Sequence, residues 1–240
     1  FVLNGQKVWT TSSPRADWCW LAARTDSTAP KHKGISILLV DMKTPGITVR
    51  PIASMVDEPS FAEVFFEEVH VPKRNLIGEK NRGWEYLIVA LDFERTFAIT
   101  QMGVVRRLLD HLLEYGRHEG REMLLRNPSL RSRLANLATE CQVGRLICYQ
   151  QACAEEKGQI SSYGASMAKN FSAELFQRTA NVGMQLLGNY GQLTRSSRWV
   201  HLGGWVEYAY LGSTSWPIWG GTSEINRNVI AQRGLGLPRR

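Results

Sequence analysis

The segment Trp219-Gly220-Gly221-Thr222-Ser223-Glu224-Ile225-Asn226-Arg227 gathers glycine, hydroxyl, carboxylate and guanidinium groups into one short run. Gly220 has no side chain to accept a proton, so any acid–base chemistry here needs a base from elsewhere in the chain. A base that removes a weakly acidic proton requires a raised pKa and a dry pocket. Glu94, in Leu91-Asp92-Phe93-Glu94-Arg95, is one carboxylate to consider. Its alternative is a helix-surface acid paired with Arg95 or Lys80, and Arg95 can equally be a helix ion-pair partner worth a few tenths of a kcal/mol. A third group is Asn4-Gly5-Gln6-Lys7-Val8-Trp9-Thr10-Thr11, where an indole and hydroxyls lie close together. Taken alone, Asn4-Gly5 reads as a hairpin turn and Trp9 as a core aromatic.

The elements that must position these groups change character along the chain. Residues 1 to about 72 read as β: Val8–Thr11, Trp18–Ala22, Gly34–Val40 and Ala62–Phe66 are short β-branched or aromatic runs. Asn4-Gly5, Pro30 and Pro45-Gly46 punctuate them as turns. Val71-Pro72-Lys73-Arg74-Asn75 reads as a linker, since Pro72 cannot donate to a ladder and biases Val71 to extended geometry. From about residue 81 the apolar spacing becomes helical, and Leu87 through Leu109 fits one long helix. Further helices are expected over 128–157, 160–187, 204–213 and 222–233, with Gly158 and Gly188 as C-terminal stops. The fold class is therefore α+β, a β domain followed by a helical bundle.

Composition narrows the classes. At 240 residues, two domains are the expected count. Hydrophobic content of 43% and charged content of 21% are ordinary for a globular protein. No apolar run approaches the ~20 residues of a membrane span, and no signal peptide opens the chain. It lacks an initiator Met and begins as if mid-strand, which points to a fragment. Cys19, Cys141, Cys148 and Cys153 show no metal-ligand pairing, so no metal site is expected; they suit reduced, mostly buried thiols in a cytoplasmic protein. The net charge of +7 reads as a solvated basic surface or as attraction for phosphates. Its arginines are scattered without a nucleic-acid motif, so no nucleic-acid partner is expected.

Across nearly its whole length the chain resembles the acyl-CoA dehydrogenases, flavoenzymes that introduce a Cα–Cβ double bond into a CoA thioester. The resemblance rests on Asn4–Thr11, Pro45-Gly46-Ile47, Phe66-Glu67-Glu68-Val69-His70-Val71-Pro72, Asn75-Leu76-Ile77-Gly78, Leu91–Arg95 and Trp219–Arg227, in the family's order. Each is weak alone; the ordered set is strong. It implies a middle β-barrel or sandwich-like domain over 1–75 and a C-terminal four-helix bundle over 76–240. The family's N-terminal helical domain and its Thr-Glu-Pro-type flavin loop would precede residue 1. It also implies FAD as cofactor, with Trp9, Thr11, Thr222, Glu224 and Gln185 binding it. Many members carry the catalytic glutamate at the position of Gly220. Isovaleryl and long-chain types instead carry it at the position of Glu94 with a small residue at the other, and this chain reproduces that combination. Glu94 is then the base, Arg95, Gly220 and Gly221 contact substrate, and Gly220 leaves room for a bulky acyl group. The thioester oxygen is implied to sit on the flavin 2′-hydroxyl and a backbone N–H beside residue 220.

In the family each FAD lies across a dimer interface. What one subunit gives its own flavin survives here as Trp9, Thr11, Thr222 and Glu224. What it gives its neighbour's is eroded. The Arg-x-x-Phe-Gly loop reads Arg117-His118-Glu119-Gly120-Arg121-Glu122-Met123, the His-Gln pair falls near Asn127-Pro128, and the Gln-x-x-Gly-Gly turn reads Gln185-Leu186-Leu187-Gly188-Asn189. An Arg-Asp pair before the signature is replaced by Leu211-Gly212. This one-sided loss resembles the α2β2 enzymes of steroid-degrading actinobacteria, with a homotetramer as the alternative. The implied activity is α,β-dehydrogenation of a bulky, steroid side-chain or branched acyl-CoA, with electron-transfer flavoprotein as acceptor. A non-catalytic scaffold subunit and an acyl-CoA oxidase are the competing functions.

Overall fold

The computed structural model describes residues 1–56, 60–94, 98–159 and 161–238. It divides into two compact units, Phe1–Ala90 and Leu91–Arg240. The first unit holds two three-stranded antiparallel sheets. One has the order β1 (Val2–Thr11), β5 (Phe61–His70), β4 (Ile47–Ile52); the other has the order β2 (Trp18–Arg24), β3 (Ile35–Asp41), β6 (Leu76–Ile77). Leu3, Val64, Phe66 and Val69 from the first sheet share one core with Leu21, Leu38 and Val40 from the second. The sheets are thus the halves of a sandwich, not a closed barrel. β5 alternates buried and part-exposed residues from Phe61 to Phe66, as a half-buried strand requires.

Two local expectations are corrected. Asn4-Gly5 is not a turn: both residues lie within β1, where pairing with β5 slips between Leu3 and Gly5. The Asn4 side chain fills the irregularity, donating to Glu68 Oε1 at 2.5 Å and accepting from the Glu68 amide at 2.8 Å. β4 was missed because Ile47-Thr48-Val49-Arg50-Pro51-Ile52 carries Pro and Arg, tolerable only because β4 is an edge strand. The expected turn at Pro45-Gly46 is present and tight. Gly46 has φ +93°, and a Cβ there would lie 2.2 Å from the Glu67 carbonyl oxygen. Gly46→Ala is therefore expected to cost about 2 kcal/mol or more of stability; an unchanged thermal midpoint would contradict this geometry.

Helix α1 (Gly83–Glu94) leads into the second unit, and α2 (Ala98–Arg117) follows. The single long helix expected from Leu87 to Leu109 is thus described as two segments, residues 95–97 lying outside the described residues. Then come α3 (Arg121–Arg126), α4 (Pro128–Glu156), α5 (Ser162–Leu187), α6 (Trp205–Gly212) and α7 (Ser223–Val229), with one wide π turn over Ile230–Gly234. α4 starts where Asn127 Oδ1 accepts from the Leu130 amide at 3.0 Å and Pro128 takes the first turn. Ser161 caps α5 in the same way, accepting from Gly164 at 3.1 Å.

α5 is the axis of the unit, packing against α2, α4, α6 and α7. Its inner face alternates small residues (Ala165, Ala168, Ala173, Ala180) with Leu175, Phe176, Val182 and Leu186, so neighbouring helices approach closely around a dense core. Cys141 and Cys148 are buried in this core, Cys19 is half-buried and Cys153 is exposed; none of the four forms a disulfide among the described residues. Burial pushes Cys148 up to about 11, keeping it a protonated thiol. Among the described residues no helix is long and apolar enough to cross a membrane, and no cluster of potential metal ligands occurs.

Candidate functional site

In the β unit, the end of β1 departs from regular geometry. Lys7 pairs with Val64 and Thr10 with Ala62, so Val8 and Trp9 together oppose Glu63. Trp9 has φ +58°, a conformation costly for a bulky residue, and its side chain is 63% exposed. It meets Phe61 edge-on at 6.1 Å. A large indole held outward on strained backbone is the opposite of a core aromatic. Thr11, two residues on, is also exposed.

A second feature of this unit lay outside the sequence reading, which took Pro30 only as a turn. The His32 and Trp84 rings lie 4.4 Å apart, tilted by 36°, beside a groove of about 540 Å³ lined also by Asp26, Lys33, Arg82 and Glu85. Tertiary proximity joins the Pro30–Gly34 loop to the start of α1; no spacing rule would link residues so far apart in sequence.

In the helical unit the glycine turn is built on α5. Gly220 and Gly221 have φ +64° and +90°, where glycine is the residue that fits without strain. A Cβ at Gly220 would meet within 4 Å only Lys169 Cε, at 3.6 Å. The Gly221 carbonyl accepts from Lys169 Nζ and from Asn226 Nδ2, each at 2.7 Å. Thr222 is the N-cap of α7, its hydroxyl accepting from the Ile225 amide at 3.2 Å. Glu224 is exposed, and its carboxyl is held below the usual carboxylate range by its own backbone N–H first and the Thr222 hydroxyl second.

Lys169 is missing from the sequence reading, which saw only a helical pattern there. It is 2% exposed and is the one charged side chain in the buried set among the described residues. Desolvation brings it down to about 8, with Glu174 and Glu224 acting in the opposite direction. Removing an ammonium from water costs roughly several kcal/mol. The sign of the resulting pH dependence follows from linkage. The unfolded chain holds this proton to about 10.5 and the folded chain to about 8, so the unfolded state binds more protons in between. Stability is expected to rise as pH goes from 8 to 10.5, and Lys169→Met to flatten that slope in denaturant titrations.

The remaining expected residues are placed as follows. Glu94 is the last described residue of α1 and is exposed. Arg95 lies outside the described residues. Gln185 is exposed on α5, accepting from Arg133 and donating to Asn181. Asn127-Pro128 starts α4, and Leu211-Gly212 ends α6. His201 Nδ1 pairs with Glu119 at 2.7 Å, and its ring lies edge-on to both Tyr115 and Tyr190. One imidazole thus bridges the 115–120 loop and the 185–191 turn.

A β sandwich followed by a helical unit with a Gly-Gly-Thr-Ser turn is the arrangement of the middle and C-terminal domains of the acyl-CoA dehydrogenases, a class of FAD-dependent flavoproteins. The chain belongs to this family: residues 81–235 match the acyl-CoA dehydrogenase C-terminal domain and residues 1–69 the middle domain. It is 32% identical over 245 residues to acyl-CoA dehydrogenase IpdE1 of Mycolicibacterium smegmatis, covering 100% of this chain and 58% of the relative. It is 32% identical to acyl-CoA dehydrogenase FadE26 of Mycobacterium tuberculosis, covering 100% of this chain and 62% of that one. Among solved structures, the Tcur3481-Tcur3483 steroid ACAD superposes with a TM-score of 0.93 at 29% identity, over 100% of this chain and 62% of the other. The ChsE4-ChsE5 complex from Mycobacterium tuberculosis follows with 0.87 at 31% identity, over 100% and 62%. The chain therefore spans about three fifths of the length of the relatives it matches.

Proposed function

We propose that this chain is the base-bearing subunit of an FAD-dependent acyl-CoA dehydrogenase that acts on a bulky CoA thioester and assembles with a related second subunit. The observation that carries this reading is the combination of an exposed carboxylate at Glu94 in α1 with a Gly220 at which an added Cβ would meet only Lys169 Cε within 4 Å. A carboxylate is available at one position and acyl room at the other.

The residues fit a flavin: an outward indole at Trp9, an exposed hydroxyl at Thr11, and an αL glycine turn at 220–221 that lets backbone approach a ligand closely. Trp9 and Thr11 would flank the ring system, with Thr222, Glu224 and Gln185 as further contacts. FAD, when bound, supplies the acceptor for the hydride leaving Cβ. Glu94 takes the α-proton onto a carboxylate oxygen, and the electron pair of the broken Cα–H bond becomes the new double bond. Backbone amides at the 220–222 turn stabilise the charge developing on the thioester oxygen. Arg95 would contact substrate beside the base. The His32–Trp84 ring pair offers aromatic faces for a base such as that of CoA, while Arg82 is already paired with Glu79 and Glu85 and Asp26 lines the same groove.

A steroid side-chain or branched acyl group is favoured by Gly220 and by the likeness to a protein described as a steroid ACAD. Electron-transfer flavoprotein is the acceptor in this reading. Anaerobic titration of the full-length, flavin-loaded assembly with steroid side-chain, branched and short straight-chain acyl-CoAs should bleach the flavin with the first two. Absence of bleaching by all three would sink the reading, and rapid reoxidation by O₂ would replace it with an oxidase. Gly220→Glu places a strained side chain in the acyl space, so bleaching by bulky substrates should fall about tenfold more than by short ones. Equal losses would remove the argument from room.

A further inference from the structure

Lys169 presents a conflict that the fold alone does not resolve. It is buried on α5, flanked one turn apart by Ser166 and Asn170, and faces α7. It forms no ion pair with a described residue; its Nζ instead donates to the Gly221 carbonyl. Ser166 Oγ, Asn170 Oδ1 and Ser223 Oγ, all buried in this α5–α7 region, have no hydrogen-bond partner among the described residues. An apolar residue would pack here without the desolvation cost, so the charge is retained against stability.

Its bond shows what it does. The Gly221 carbonyl and the Thr222 amide belong to one peptide unit, so a cation on the oxygen polarises the N–H on the other side. Within the chain, none of the amides of Gly220, Gly221 and Thr222 donates to an acceptor among the described residues. Asn226, donating to the same carbonyl, holds the turn from α7, while Lys169 holds it from α5. Two donors on one carbonyl over-determine a turn made of two left-handed glycines.

We propose that Lys169 is a positioning residue: it clamps and polarises the Gly220–Thr222 turn so that its free amides stay aligned for an acyl thioester oxygen. This role rests on the acyl-CoA reading above, but the clamp itself does not. The charged groups facing Lys169 are Glu174 from α5 and Glu224 from α7, with Arg227 paired to Glu174.

The test uses Lys169→Met and Lys169→Arg in the full-length, flavin-loaded protein. Met keeps the volume and removes donor and charge; Arg keeps both. In Lys169→Met the thermal midpoint should hold or rise, amide exchange at Ser223 and Asn226, whose N–H groups are bonded to the Pro217 and Thr222 carbonyls, should quicken about tenfold, and the bleaching rate constant at saturating substrate should fall about tenfold, near one decade of barrier. Substrate affinity should change much less. The wild-type rate should decline as pH passes through about 8 and the Met variant should lose that limb. Arg should restore slow exchange and rate. Unchanged exchange in Lys169→Met would overturn the clamp. Faster exchange with an unchanged rate constant and pH profile would leave a purely structural lysine and overturn the positioning role. If wild type is not bleached by any acyl-CoA, the functional reading fails, and exchange alone decides the clamp.

Discussion

Glu94→Gln in the full-length assembly is expected to abolish flavin bleaching by acyl-CoA, with a loss of about 10³-fold or more in the reductive rate constant. The amide keeps the size and hydrogen-bonding reach of the side chain but cannot accept the α-proton. Substrate binding should survive, because the thioester oxygen and the CoA handle are held by other groups. The expected signature is a saturable spectral perturbation of oxidised flavin without bleaching. Normal bleaching would show that the base is elsewhere. Because Gly220 has no side chain, the 220 turn itself offers no substitute carboxylate.

The native assembly is expected to hold about one flavin for every two family-type chains. The reason lies in what has replaced the eroded segments. Asn127 is spent on capping α4, and His201 with Glu119, Tyr115 and Tyr190 occupies the region between the end of α2 and the turn after α5. In the proposed heteromer a subunit so arranged would serve its own flavin and leave the other half-site to a different chain. Flavin absorbance against polypeptide concentration in the purified complex measures this. One flavin per chain, or a single chain type in the active complex, would reject the heteromer.

The elements of the helical unit were largely legible because each carries its own signal. Asn127-Pro128 marks a start by local hydrogen bonding, Gly158 and Gly188 mark stops by their positive φ, and apolar spacing over 128–157 and 160–187 marks the faces. The sandwich was less legible. β4 hides behind Pro51 and Arg50, and Asn4-Gly5 spells a hairpin turn while serving as an irregularity within a strand, because pairing with Glu68 outweighs local preference. Trp9 illustrates the limit of residue type: an indole in a β run reads as core until the backbone turns it outward.

The family and the order of a β unit before a helical unit were readable from the sequence, because these are properties of residue identity and local period. Only the tertiary structure decided that Lys169 lies beneath the glycine turn, that His201 joins two distant loops, and that His32 meets Trp84. Each of those depends on contacts between segments 50 or more residues apart in the chain. Desolvation and ring packing arise only when such segments meet, and no local pattern encodes them.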